Sequence, residues 1–418
     1  MPEKTERDYL SPFRHRDFSV FWTGSFLSSI GTQFTSVAMA WQIYELTNSP
    51  LQIGLLGVAR AVPQIALLLV GGLLADAMNR RKLMMCTQIG LFGVSTILAL
   101  LSYAGQTTPH MLYIATMLLA FFTSLEQPSR QSLIPSLVPR EQLAQALALQ
   151  GTQRYVPTIA GPSLAGVVLA FSGPAACYAV DACSWLAMLG ALKLLRTKIP
   201  EGGGWKTVSL TSLREGLQFV WSHGVIFPLM LLDFSATFFG NMRGLFPIYA
   251  RDILFVGPTG LGLLYAARAI GSLLAAGAMA LFGPVKNSGR WIFLGIGIYG
   301  LSTVFFAGSQ VFWFSFLMLM LTGAGDTVSS ILRSTINQLS TPDELRGRMS
   351  SINSIFTSSG PQLGQFESGV VAAWLGAQLS ALTGGLATLF VLIVVAASFP
   401  RVRKFEIPPV RSRPYVAQ

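Results

Sequence analysis

Residues 71–82 read GGLLADAMNRRK. They close a long apolar run, 51–75, with one acid, Asp76, then a tight turn, then three consecutive bases, Arg80, Arg81 and Lys82. A second apolar run opens at Leu83. A helix that leaves a bilayer, turns at once and re-enters has this form. The bases hold such a turn at the cytoplasmic face, and Asp76 stands where it can pair with them or cap a neighbouring helix.

The composition carries the same message. Of 418 residues, 52% are hydrophobic and only 11% charged, against roughly 25% charged in a soluble protein. That excludes an ordinary soluble enzyme. The net charge of +11 is not gathered on any arm or helix among aromatic or polar groups, so nucleic acid is not an expected partner. The bases lie instead in short loops between apolar runs, where they orient a membrane protein. Cys86, Cys177 and Cys183 lie inside apolar runs, match no zinc or disulfide spacing and read as small core residues. His15, His110 and His223 form no cluster. Neither a metal nor a cofactor is expected. Residues 1–17 lack the apolar core and cleavage site of a signal peptide, so the first helix is expected to remain as an anchor.

A spanning helix needs roughly 20 mostly apolar residues. The qualifying runs are 18–45, 51–75, 83–104, 109–134, 142–171, 174–196, 225–249, 259–282, 291–308, 310–335, 347–374 and 378–399. With the N-terminus inside, the inner segments hold twenty-two bases and the outer loops only Arg251. Both termini are therefore expected in the cytoplasm. The division predicted is a cytoplasmic N-terminal segment 1–17, an N-terminal six-helix bundle 18–196, a linker 197–224, a C-terminal six-helix bundle 225–400 and a basic cytoplasmic tail 401–418. The linker begins polar and glycine-rich, and 213–222 reads as an amphipathic surface helix.

The chain also repeats itself. GLLGVARAV (54–62) corresponds to GLLYAARAI (262–270), so Arg60 matches Arg268. Arg130 leads through Pro139, Glu141 and Leu143 to Gly161-Pro162, and Arg333 leads through Pro342, Glu344 and Leu345 to Gly360-Pro361. Repeats with an even number of spans share one orientation, so they are parallel, related by an axis along the membrane normal. The expected fold is all-α and integral to the membrane, with twelve transmembrane helices in two parallel six-helix repeats around a central cavity. Rocking of two such bundles gives alternating access.

With these features, the chain resembles the major facilitator superfamily of transporters. The loop between spans two and three of that family reads roughly G-x-L-A-D-R-x-G-R-K. Gly72, Leu74, Ala75, Asp76, Arg80 and Arg81 match it, while Ala77 replaces the first base and Asn79 the glycine. Asn tolerates a left-handed turn, but the lost base weakens the charge network. The second-half loop keeps Lys286 and Arg290 without an acid. GPSLAG (161–166) resembles the antiporter motif of exporters, and small residues there also serve helix packing. SPLQIGL (49–55), GLLYAARAIGSLLAAG (262–277) and TPDELRGRMSSIN (341–353) are similar to the exporter group that contains the bacterial enterobactin exporter and the macrolide efflux proteins. The resemblance implies export of a small siderophore- or drug-like molecule across the bacterial inner membrane by proton antiport. It assigns Gly72, Asp76, Arg80 and Arg81 to a conformational latch. The partners it implies are the lipid bilayer, a small-molecule substrate and protons, with the chain working as a monomer.

Charges inside spans cost about 2.5–3.5 kcal/mol each on insertion scales, so each calls for a reason. Arg60 and Arg268 are matched and read as substrate contacts or as structural ties. Arg130 and Arg333 lie near the inner ends of spans four and ten. Glu126 precedes Arg130 by one turn, and Asp326 precedes Arg333 by two, on the same helix face. Such pairs are proton sites or gates, or else ion pairs that latch the inner surface. Asp233, between Leu232 and Phe234, has the apolar setting of a proton carrier. It is the first candidate for proton coupling, followed by Glu126 and Asp326. Gln33, Arg130, Arg243, Arg333 and Phe238 are the candidate cavity residues. Gly161, Pro162 and Gly166 form the candidate packing motif. Asp181, Arg154 and Glu367 read as polar packing contacts, and Glu45 as a solvated helix end. A lysophospholipid flippase or a solute importer on the same fold stays open. A membrane enzyme is remote, since no nucleophile–base or H-E-x-x-H constellation occurs.

Overall fold

The structure is a computed structural model. It describes residues 10–77, 80–197, 218, 220–221, 224–283, 287–342, 345–403 and 405, without the side chains of 68–77, 80, 132, 154, 346–348, 350, 351 and 355. Among the described residues twelve long helical arms follow one another, with short helical turns between some of them. They are α1 (Arg16–Thr47), α2 (Pro50–Ala77), α3 (Arg80–Tyr103), α4 (Pro109–Leu137), α5 and α6 (the two arms of Leu143–Leu194), α7 (Ile226–Phe239), α8 (Gly257–Phe282), α9 (Ser288–Ala307), α10 (Phe312–Ser340), α11 (Arg346–Leu375) and α12 (Ala377–Ser398).

Local chemistry sets the turns. Asn48 caps α1 in the left-handed region, φ 49, and its N–H bonds back to the Tyr44 carbonyl; Pro50 then opens α2. Between α5 and α6 the chain reverses at Gly173, φ 71, a conformation a side chain would strain. Pro174 follows as a natural helix opener.

By length and composition, seven stretches among the described residues suffice to cross a membrane: within α2, α3, the α5–α6 run, α8, α9, α10 and α12. The others fall short for physical reasons. α1 carries rows of Ser, Thr and Gln, and α4 carries Glu126, Gln127 and Arg130. Many of these groups face protein: Ser25, Ser28, Thr35 and Glu126 are all buried. The lipid instead meets Ile97, Leu100, Leu274, Phe305 and Ile393, all exposed.

Span seven departs from the expected continuous run 225–249. α7 stops at Phe239, and helical turns resume only at Arg243–Leu245, running on to a π turn at Tyr249–Ile253. The break is satisfied by side chains. Asn241 Nδ2 donates to the Pro361 carbonyl, Asn241 Oδ1 accepts from the Arg243 N–H (3.2 Å) and Tyr299 Oη donates to the Gly240 carbonyl (2.7 Å).

The core is divided unequally between the two ends of the molecule. One large cluster joins residues of both halves, from Val37, Tyr44, Ile53 and Leu169 to Phe246, Tyr249, Leu261 and Ala372. These residues lie near the end of α1, the start of α2, the end of α5, the start of α8 and the end of α11. At the opposite end the buried clusters each stay within one half, around Phe18 and Met188, around Leu229 and Ile336, or around Ile226 and Met349.

Candidate functional site

The seal between the halves is built from two seams of small residues. In the first, Gly54 of α2 meets Gly369 of α11: a Cβ on Gly54 would lie 3.1 Å from the Gly369 Cα. Gln365 of α11 donates to the Ile53 carbonyl (3.2 Å). In the second, Gly166 of α5 meets Gly262 of α8, and a Cβ on either would lie 3.0 Å from the other's Cα. Small residues let backbones approach this closely, and packing then holds helices together in lipid. Polar ties close the rim. Tyr44 Oη donates to Asp252 Oδ2, Arg251 Nη1 donates to Asn48 Oδ1 (2.9 Å), and the Arg251 guanidinium lies 5.5 Å from the Tyr44 ring centre. Among the described residues, every hydrogen bond between the halves lies at this end.

Below the seal, in the N-terminal half, a cavity of about 260 Å³ opens between α1, α4 and α5–α6. Polar residues line much of it, among them Thr32, Gln33, Glu126, Arg130 and Gln153, with Trp185 as a wall. Gly161 makes room for Gln33, since a Cβ there would lie 2.7 Å from the Gln33 Cβ. Glu126 is 3% exposed. Its Oε2 accepts from Gln88 Nε2 (2.6 Å), while Oε1 sits 4.0 Å from Arg130 Nη1 and has no hydrogen-bond partner among the described residues. Arg130 is held from α1, donating to the Ser25 carbonyl (3.0 Å) and the Ser25 hydroxyl. One carboxylate oxygen is thus buried without a hydrogen bond behind the cavity wall, beside a half-buried cation placed for an acceptor. Such a pair suits a molecule with both kinds of polar group.

The C-terminal half is paired differently. Arg333 of α10 is 5% exposed, ion-paired with Asp233 of α7 and bonded to Ser329 Oγ. Asp326 does not serve Arg333 on its own helix; it pairs with Arg268 of α8 at 2.9 Å. Arg268 also lies 5.6 Å from the Tyr299 ring centre. Arg243, at the break in span seven, lies 6.0 Å from the Tyr265 ring centre, and Tyr265 Oη donates to the Arg243 carbonyl (3.1 Å). Phe238 stacks on Phe234, with centroids 5.2 Å apart.

The structure therefore gathers Gln33, Glu126 and Arg130 in one cavity and joins Asp233 to Arg333. Asp326 bonds to neither group, though it lies within electrostatic reach of Asp233, and Arg243 bonds to neither. Gly166 sits in the α5–α8 seam, and the Pro162 carbonyl approaches Gly262 there. Of the proposed latch, the side chains of Gly72, Asp76 and Arg80 lie outside the described residues. Arg81 donates to the carbonyls of Leu192 (2.9 Å) and Lys193 (3.3 Å) at the end of α6. The side chain of Arg154, most of 213–222 and the tail beyond 405 also lie outside the described residues. Asp181 accepts from Thr35 and Ser95, both at 2.7 Å, tying α6 to α1 and α3. Reading the sequence found Gln33 but missed the Tyr44–Asp252 tie and the rest of Gln33's polar row, Ser25, Ser29 and Thr32. The row had a signal: spacings of four, seven and eight mark one helix face.

Comparison with known proteins agrees with this architecture. A family model described as a transmembrane secretion effector matches residues 8–415. The enterobactin exporter EntS of Citrobacter koseri is 28% identical over 406 residues, covering 94% of each chain. That of Salmonella typhimurium is 26% identical over 408 residues, covering 95% of each. Among solved structures, a bacterial homologue of the human lysosomal transporter Spinster, inward-facing and unoccupied, aligns with TM-score 0.72 at 15% identity over 95% of this chain and 99% of its own. A bacterial homologue of the iron transporter ferroportin, also inward-facing, aligns with TM-score 0.70 at 17% identity over 93% and 99%. These two share the fold.

Proposed function

The chain belongs to the transmembrane secretion effector family of the major facilitator superfamily, and from that premise we propose that it exports a siderophore-like molecule by proton-coupled alternating access. The observation that carries this reading is the one-ended seal. The distribution of bases puts the end holding the α1 N-terminus in the cytoplasm, with both chain termini. The seal then lies on the outer face of the bacterial inner membrane and the cavity faces the cytoplasm, the loading state of an exporter.

The working bodies are the bundles 18–196 and 225–400, joined by the linker 197–224 and rocking in a monomer. Residues 1–17 and 401–418 flank them in the cytoplasm. The polar cavity takes one arm of the cargo, since about 260 Å³ lies just below the usual size of a site that encloses a whole drug-sized molecule. A cargo donor bonds Glu126 and an acceptor bonds Arg130. A proton on Glu126 competes with that donor, which couples loading to proton release. In the other half, protonation of Asp233 frees Arg333 and loosens α7 from α10. Asp326 holds α8 to α10 through Arg268 and is the third site for a proton. Gly72, Asp76, Arg80 and Arg81 latch the cytoplasmic end when it closes.

The test is flux through purified protein in liposomes carrying a pH gradient, offered a catecholate siderophore, a macrolide or a lysophospholipid. Siderophore-linked proton flux is expected, and Asp233→Asn should lower the gradient-driven rate at least about tenfold, roughly 1.4 kcal/mol. Proton flux linked to none of the three overturns the reading. Flux with the lysolipid alone reassigns the protein as a flippase. An unchanged rate in Asp233→Asn removes that residue as the carrier.

A further inference from the structure

Three arginines converge just beneath the seal. Arg60 of α2 lies one turn beyond Gly57, itself packed against Gln365 of α11. Arg243 follows the break in span seven and precedes Gly244, which also packs on Gln365. Arg268 lies six residues past Gly262 on α8, about two turns. Arg243 is within electrostatic reach of both Arg268 and Arg60, and Tyr265 lies among them.

Their charge is not balanced. Asp326 pairs with Arg268, and the other acid close by, Asp233, is taken by Arg333. Among the described residues no acid lies within ion-pair distance of Arg60 or Arg243. Arg243 nonetheless presents exposed surface, and Arg60 is only half-buried, although both sit deep between the halves. Their guanidiniums therefore border the space under the seal.

An unpaired cation inside the membrane is costly and marks a ligand path by default. Two of them on opposing bundles within electrostatic reach repel each other, and an anion between them would relieve that repulsion. Guanidinium is the group that binds planar oxyanions in a bidentate fork.

We propose that Arg60 and Arg243, with Arg268 behind them, form an anion-binding subsite that takes a carboxylate or catecholate group of the cargo. The subsite draws one arginine from each half, so an anion there bridges the bundles in the sealed state and leaves as they part. The inference rests on the transport reading only for the identity of the cargo; the anion site stands on its own geometry.

The test uses the full chain in nanodiscs of uncharged lipid, titrated calorimetrically with 2,3-dihydroxybenzoate and with its uncharged amide, 2,3-dihydroxybenzamide. The wild type should bind the acid at least about tenfold more tightly, roughly 1.4 kcal/mol. The double variant Arg60→Gln, Arg243→Gln should lose that preference, and the double lysine variant should keep most of it. If the double glutamine variant does not fold, Arg243→Gln alone should still lower the preference about threefold. Equal binding of the two probes to the wild type, no binding of either, or an unchanged preference in the glutamine variants overturns the inference. Liposome export of a siderophore separates the two claims. Export without anion preference sinks only the subsite, whereas anion preference without export sinks only the transport reading.

Discussion

The two halves of this protein share a scaffold and differ in how they spend their charge. At the offset of 203 residues that relates Arg130 to Arg333, Glu126 falls opposite Ser329 and Thr123 opposite Asp326. In the N-terminal half the acid stays on the helix of its arginine, 4.0 Å away, and one of its oxygens is buried without a hydrogen bond among the described residues. In the C-terminal half the acid has moved one turn along the helix, and both bases reach to other helices, Arg333 to α7 and Arg268 to α10. A loose pair on one helix can exchange a partner without moving that helix. A tight pair between helices cannot exchange without loosening them. The first arrangement suits recognition of a cargo, and the second suits conversion of a charge change into motion.

Stability measurements test that contrast most directly. Arg333→Ala removes a buried cation, leaves the half-buried Asp233 carboxylate without its tight partner and should cost about 3–5 kcal/mol. Arg130→Ala removes a half-buried donor whose acid keeps its Gln88 bond, and should cost about 1 kcal/mol. Reversible unfolding in detergent or bicelles reads both. Equal losses would mean that the halves are not functionally divided in this way.

The seal shows the opposite relation, a symmetry. The α2–α11 seam and the α8–α5 seam exchange roles under the repeat, and Gly54 and Gly262 are matched residues that each face a glycine of the other half. Gly54→Leu and Gly262→Leu should therefore act alike. Each overpacks its seam by about 1–3 kcal/mol and shifts the protein toward the state open at this end. Distances between spin labels at that rim would show the shift. A response in one variant only would make one seam dominant.

That symmetry was legible in the sequence because small residues at matched positions survive the drift of the repeat. The span limits were legible too, since apolar runs end at Asn48, Gly173 and Gly376, where the chain must turn. The pairing of charges was not. Asp326 and Arg333 share a helix face, but which neighbour each meets depends on how α7 and α8 are rotated against α10, and periodicity does not contain that rotation. The break in span seven had a signal in Gly240-Asn241, a turn dipeptide, which the surrounding apolar run obscured.

The rim tie is a smaller lever on the seal. Tyr44→Phe keeps the ring under Arg251 and removes only the hydroxyl that donates to Asp252. One hydrogen bond of about 1 kcal/mol converts to roughly a fivefold shift toward opening. The same spin-label pairs would detect it. No shift would leave the glycine seams as the whole of the seal.

The smallest expected effect returns to the contrast between halves, at the opposite end of the molecule. Asp17, ahead of the first apolar run, accepts from the Thr197 hydroxyl (2.6 Å) and from the backbone N–H groups of Thr197 (2.8 Å) and Arg196 (3.0 Å). It clasps the first helix of its half to the last. The Thr197 hydroxyl, above all, holds its carboxyl below the usual carboxylate range, with the two N–H groups and the charge of Arg16 adding to it. In the C-terminal half the chain beyond the last helix is tied to the third helix instead, by backbone alone, the Gly289 N–H donating to the Phe405 carbonyl (3.0 Å). Only the first clasp titrates. Because the folded value is the lower one, its stabilisation is present above the ordinary aspartate range, near pH 4, and fades as pH falls through the lowered value. Melting temperatures of the wild type and Asp17→Asn should differ slightly at pH 7 and converge in acid. A difference that stays constant with pH would show the clasp to be packing rather than charge.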